Sequence, residues 1–179
     1  MLTIDSKRAP KPPTTKETQL LQCVQRYFPE SKWHVNCFYR ELKSPSTGYS
    51  LQLDLYCPDL KLAFEGNGES HRNYEVFKAF CPEKNSYEKF VQYQANSKEK
   101  ERGCKHHGIS LFSIDYGRDI KMTMEQQVQR AVTIFLQQEK DPNFDLPEML
   151  NDIGTVLAIG LFALVFVYCV FELNNFLFD

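Results

Sequence analysis

The chain has 179 residues, of which 42% are apolar and 25% charged, with a formal net charge of −2 at pH 7. That length supports one domain with a buried core. The near-neutral balance excludes a strongly basic coat for nucleic acid but leaves room for a local basic patch.

Residues 1–14 contain KRAPKPPTT, a basic, proline-rich arm expected to be extended or flexible. Thr14 and Glu17 have capping-box spacing, so a first helix is expected from about Thr14, with Leu20, Leu21, Val24 and Phe28 on one apolar face and Pro29 as its stop. His34 to Leu42 alternates as a strand. SPSTG at Ser44–Gly48 is a turn. Tyr49–Tyr56 and Lys61–Asn67 read as two more strands joined at Cys57-Pro58-Asp59, and a polar stretch, Arg72 to Lys84, follows. Asn85 then opens a long helix that Gly108 ends near His107. Ile109–Ile114 is expected to form a fourth, central strand. Thr123 and Gln126 begin a further helix with Met124, Val128, Val132 and Phe135 as its core stripe. The expected nuclease-like domain spans 15–140 and is followed by an acidic linker at 141–152.

Ile153 to Phe171 holds nineteen residues without a charge. As a helix it would be roughly 28 Å long, close to the hydrocarbon thickness of a bilayer. It is therefore expected to be a single transmembrane anchor, followed by a tail at 172–179. Lys140 upstream, with no lysine or arginine downstream, favours an N-terminal domain in the cytosol or inside a virion. Six cysteines, Cys23, Cys37, Cys57, Cys81, Cys104 and Cys169, lack CxxC spacing. With no secretory signal at the N-terminus, they read as reduced core thiols. A zinc site from Cys104, His106 or His107 and Cys81 would need irregular ligand spacing.

The hairpin LDLYCPDLKLAFEGNGESH, Leu53 to His71, carries the chemistry. Strict alternation puts Leu51, Leu53 and Leu55 on one side of the second strand and Gln52, Asp54 and Tyr56 on the other. With Tyr56 close to Lys61, Asp54 faces Ala63 and Glu65 becomes its diagonal neighbour, about 7–8 Å away. Two carboxylates held so near repel unless one protonates or a cation lies between them, and hard oxygen ligands suit Mg²⁺ or Mn²⁺. The plainer alternative is a pair of solvated charges on an exposed face. Gly66-Asn67-Gly68 breaks the strand and permits close approach of a backbone or phosphate, and His71 follows as a candidate proton donor or acceptor. The long helix concentrates Lys89, Lys98, Lys100, Arg102 and Lys105. Lys98 and Lys100 are separated by about 200° of turn, so at most one faces the site. Those cations form either a solvated face or a set of phosphate contacts.

The run Asp54-x-Tyr56-x-Pro58-x-Leu60-Lys61-Leu62-Ala63-x-Glu65-x-Asn67-Gly68-x-x-His71 resembles endonuclease-like proteins related to the very-short-patch repair endonucleases. These belong to the PD-(D/E)xK nuclease superfamily, with phage and large-DNA-virus members. The family pattern is D-x-Y-x-P-x-L-x-x-x-x-E-x-D-G-x-x-H. Phe90, Lys98, Lys100, Cys104, Gly108-Ile109, Leu111, Ile114 and Tyr116 resemble the family's basic helix and following strand, and the likeness spans roughly residues 14–138. It implies an α/β, restriction-endonuclease-like αβββαβ core with a four-stranded mixed sheet, here extended by the transmembrane helix. It implies Asp54, Glu65 and Glu17 as metal ligands for Mg²⁺ or Mn²⁺. Asp54, Glu65, His71, Asn67 and Lys98 would be catalytic, and Lys98, Lys100 and Arg102 would contact nucleic acid, with DNA favoured. The implied activity is phosphodiester hydrolysis by a membrane-anchored endonuclease. Asn67 stands where the family has Asp, and Ser97 where it often has Asp; a neutral amide competes poorly for a hard cation. These departures, with the anchor, keep a second reading open: a catalytically inactive nuclease-fold domain that tethers nucleic acid or a protein partner to a membrane, for example as a viral structural component.

Overall fold

The computed structural model describes residues 2–117 and 120–140. Element order is α1 (Thr15–Gln25), β1 (His34–Lys43), β2 (Ser50–Cys57), β3 (Leu62–Asn67), a 3₁₀ turn (Glu69–His71), α2 (Tyr74–Phe80), α3 (Ser86–His106), β4 (Ser110–Asp115) and α4 (Met124–Lys140). The four strands form one mixed sheet in the order β1-β2-β3-β4. The first three are antiparallel neighbours, and β4 joins β3 in parallel after the crossover through α2 and α3. Among the described residues β4 pairs with β3 alone, so it lies at an edge of this sheet and not at its centre.

The starts of α1 and α2 follow from local side-chain hydrogen bonds, whereas Asn85 at the start of α3 makes no side-chain cap. The Thr14 hydroxyl accepts from the Glu17 N–H, and the Thr14 N–H donates to the Glu17 carboxylate at 2.7 Å, a reciprocal capping box. Asn73 caps α2 by accepting from the N–H groups of Glu75 and Val76. This helix lies within the stretch read from the sequence only as polar, Arg72 to Lys84. Seven residues are too few for periodicity to register, and it is held by Tyr74 and Phe77 against Phe90 of α3. At the end of α3, Gly108 takes a φ of +64°, which glycine adopts without a Cβ penalty.

Leu55, Leu62, Phe64 and Ile114 on one sheet face meet Leu20 and Val24 of α1 and Val128, Val132 and Phe135 of α4. On the opposite face Tyr39, Leu42, Leu53, Tyr56 and Ala63 pack with Cys104 of α3. Leu53 and Leu55 thus lie on opposite faces, although they are two residues apart. β1 switches at the same level, with Val35 against the first cluster and Cys37 against the second. Between them Asn36 has a φ of +53°, a left-handed conformation that asparagine tolerates better than most residues. The β1–β2 register carries Asn36 opposite Asp54, so the alternation expected through Asp54 is interrupted there.

The expected fold class needs correction. The mixed sheet carries four α-helices, and among the described residues no helix is long and apolar enough to cross a membrane. The longest, α3, reads SYEKFVQYQANSKEKERGCKH and is far too polar. The span expected from Ile153 to Phe171 lies outside the described residues, as do the linker and the tail. A membrane localisation and a lipid partner therefore have no support in the described structure.

Candidate functional site

β2 and β3 pair as Cys57↔Leu62, Tyr56↔Ala63 and Leu55↔Phe64. Continuing that register puts Asp54 directly across from Glu65, two residues from the expected pairing with Ala63. The longer turn accounts for this. Lys61 adopts a φ of +49° and remains in the connection, so β3 begins at Leu62. The two acids are close enough for the Asp54 N–H to donate to Glu65 Oε1 at 3.3 Å. The other Glu65 oxygen accepts from Lys100 Nζ at 2.5 Å. Asp54 Oδ2 accepts from the Gly66 N–H at 2.9 Å, and Asp54 Oδ1 lies 3.5 Å from Gln52 Nε2.

Burial sets the electrostatics. Glu65 is 8% exposed, and loss of solvation pushes its carboxyl up to about 7; Lys100 opposes the rise and Asp54 adds to it. Burial likewise raises the Asp54 carboxyl against the pull of Lys100. For Lys100, burial disfavours the ammonium, but Glu65 and Asp54 outweigh it and hold its pKa above the ordinary lysine value. The group is therefore a compact cluster of two acids and one base, roofed by α3.

Around it lie the remaining residues. Glu17 sits at the start of α1, where one carboxylate oxygen accepts from the Thr14 N–H and from Asn36 Nδ2 at 2.9 Å. Asn36 Oδ1 in turn accepts from Gln52 Nε2, so a hydrogen-bonded chain runs from Glu17 to Asp54. His71 Nδ1 lies 2.7 Å from the Tyr93 hydroxyl and 3.2 Å from Asn67 Oδ1. Its backbone carbonyl accepts from Gln94 Nε2. Burial, reinforced by Lys100 and Arg72, lowers the His71 pKa and keeps the ring neutral. A small cavity of about 30 Å³ opens against Glu65, Asn67, Ser97, Lys100 and Ser113, enough for a water molecule.

The structure brings Asp54, Glu65 and Lys100 together and sets Asn67 and His71 beside one another. It does not bring Lys98 there. Lys98 is exposed, whereas the Lys100 side chain is 16% exposed. Arg102 points outward and is bound by Glu99. The nucleic-acid partner is what needs correction, since no motif in the described structure supports it; Lys100 is turned into the cluster, while Lys98 and Arg102, four residues apart, are exposed, and Arg102 is paired with Glu99. Metal binding is corrected as well. Among the described residues no group of three or more His, Cys, Asp or Glu side chains could hold a metal ion. The oxygens of Asp54, Glu65 and Glu17 already accept from Lys100, from backbone N–H groups and from side-chain amides, and the positive charge against Glu65 is the Lys100 ammonium rather than the expected Mg²⁺ or Mn²⁺. The membrane-anchored, metal-dependent endonuclease loses its basis with these residues, and so does a tether for nucleic acid. Cys104 is no better a ligand, since burial pushes its thiol up to about 12.

Sequence reasoning missed Tyr93, Gln52 and Asn36. Tyr93 had a usable signal: it precedes Lys100 by seven residues, two helical turns on the same face. Asn36 had none, because its role comes from a backbone switch in mid-strand. Comparison with known proteins finds no family model, no curated protein and no solved structure that matches this chain.

Proposed function

We propose that this domain is a metal-independent hydrolase acting on a polar ester, with Glu65 as its general base. The observation that carries the reading is the buried Asp54–Glu65–Lys100 cluster opening onto a cavity the size of a water molecule. A carboxylate poised near neutrality is matched to taking a proton from that water. Asp54, close by, keeps Glu65 basic. Once Glu65 holds the proton it no longer neutralises Lys100, whose positive charge then serves the oxygen on which negative charge develops. The cluster is assembled before substrate arrives, so little reorganisation is needed.

Kinship with the very-short-patch-repair-like family is proposed on the same footing. Its support is the convergence of Asp54 and Glu65 at one end of the sheet, with Asn67 and His71 immediately beyond and a basic helix overhead. What the proposal carries over is the scaffold, not the family's reaction.

A second reading has its own observation. Every carboxylate oxygen of the cluster is already engaged, which favours a clamp that fixes α3 on the sheet. One experiment separates the two. The full chain, in excess chelator, is offered chromogenic carboxylate and phosphate esters. Turnover that rises with ionisation of a group near pH 7 and falls about 100-fold or more in Glu65→Gln supports the hydrolase. No turnover on any ester, with the variant folded, leaves the clamp.

A further inference from the structure

The geometry points to Tyr93 as a positioning residue that fixes His71 in one tautomer, with Nδ1 accepting and Nε2–H free to donate; this rests on the hydrolase reading for its catalytic meaning. Tyr93 lies on α3, and its hydroxyl is 2.7 Å from His71 Nδ1, with the two ring centroids 4.5 Å apart. Nδ1 offers a single in-plane direction, and two residues converge on it, Tyr93 and Asn67. If either donates, Nδ1 is the acceptor and the imidazole proton lies on Nε2; if both accept, it lies on Nδ1.

The phenol is the natural donor. It is half-buried near Glu65 and Asp54; loss of solvation and then those two acids oppose a phenolate, so it remains a hydroxyl with one proton to give. Imidazole nitrogen is the most basic acceptor at that distance. With Nδ1 accepting, the Asn67 oxygen placed 3.2 Å away would face a lone pair, so the Asn67 amide is assigned the opposite orientation, with its NH₂ group toward the ring. An amide makes that exchange with almost no change of shape, and a carboxylate cannot make it. The neutral ring then carries its proton on Nε2. Lys100 and Arg72 disfavour a second proton and Asp115 favours it; burial, the largest influence, keeps the ring neutral. Such a ring is a hydrogen-bond donor to an oxygen, complementary to a base at Glu65. In the hydrolase reading, Glu65 takes a proton from water as the water oxygen bonds to the ester centre and the bond to the departing oxygen breaks; that oxygen then receives the proton from Glu65, with the Nε2–H available to hydrogen-bond it.

The test reads the tautomer itself. The chain has four histidines, so ¹⁵N-histidine labelling of the full chain gives a resolvable long-range ¹H–¹⁵N spectrum, with His71→Gln identifying the signals. The expected result is a neutral His71 protonated at Nε2. Tyr93→Phe should give mixed tautomers and an upward shift of the His71 pKa, because a donor to the neutral ring is lost. Asn67→Asp should move the proton to Nδ1. A purely structural Tyr93 would move none of these signals. Wild-type protein protonated at Nδ1, or unaffected by Tyr93→Phe in a folded variant, overturns the inference. If hydrolysis is present, Tyr93→Phe should lower kcat roughly 10- to 100-fold with KM little changed. Absence of hydrolysis with the Nε2 tautomer intact removes the hydrolase reading and leaves the lock standing.

Discussion

The two faces of the sheet are built on different principles. Under α1 and α4 the buried surface is apolar throughout, from Leu20 and Val24 across Leu55 and Phe64 to Val128 and Phe135. Under α3 it is apolar at one end, at Leu42, Leu53 and Cys104, and charged at the other, at Asp54, Glu65 and Lys100. Apolar contact is non-directional and tolerates the loss of one member in proportion to the space left behind. A buried ion cluster is directional, and removing one member leaves the others without compensation. Stability on the first face should therefore ignore pH, and on the second it should follow it.

The largest expected effects test that contrast directly. Phe64→Ala should cost about 3–5 kcal/mol, and urea unfolding at pH 5 and pH 8 should give the same loss. Lys100→Met should also cost about 3–5 kcal/mol at pH 8, where two acids remain unpaired. At pH 5 the loss should shrink, because Glu65 can then be protonated. Equal losses for Lys100→Met at both pH values would mean that the cluster is not the source of its stability effect.

Next is the wild-type pH profile. Glu65 has a folded pKa of about 7 against an ordinary value of 4.5, so between those values the folded chain holds a proton that the unfolded chain has released. Unfolding free energy must then fall as pH rises through that window, by up to about 1.4 kcal/mol per pH unit for one such proton. Asp54, also raised, adds to the fall at the acid end of the window. His71, with its pKa lowered, acts in the opposite direction and removes stability as pH drops below its ordinary 6.5. Glu65→Gln should flatten the fall between pH 5 and 7 and leave the histidine contribution in place. A profile unchanged by Glu65→Gln would assign the titration elsewhere.

The contrast between faces also explains what was legible in the sequence. Helix starts at Thr14 and Thr123 were readable because a cap needs only residues three apart, and both capping boxes form. The stripes of α1 and α4 were readable because apolar burial repeats with the helix. The pairing of Asp54 with Glu65 was not, because it depends on how many residues the 58–61 turn consumes. The placement of Leu53 and Leu55 on opposite faces was not either, since Asn36 supplies the switch from a neighbouring strand. The proximity of two acids was nonetheless the right physical question. Its answer was an internal ammonium, from a helix 35 residues away in sequence.

A smaller effect probes how closely α3 approaches the sheet. A Cβ built on Gly103 would lie 2.4 Å from Leu42 Cδ2, so the helix rests on β1 where it lacks a side chain. Gly103→Val should cost about 1–3 kcal/mol through overpacking, although valine is the better helix former. If the displaced helix lifts Lys100 from Glu65, the fall in stability between pH 5 and 7 should steepen along with the loss.

The smallest expected effect is the most discriminating about the site. Lys98 and Lys100 have the same chemistry and lie half a turn apart on α3, so composition and local propensity cannot separate them. Their surroundings do. Lys98 projects into solvent, where a lysine contributes little to the folded state, and Lys98→Ala should change stability by about 0.5 kcal/mol or less at any pH. Lys100 projects into the cluster, and its removal should be the costlier by several-fold and sensitive to pH. The same pair divides the readings of function. A hydrolase that uses the buried ammonium loses turnover in Lys100→Met and keeps it in Lys98→Ala. If turnover instead falls in Lys98→Ala, the chemistry lies on the outer face of α3, and the buried cluster is only the clamp that holds the helix in place.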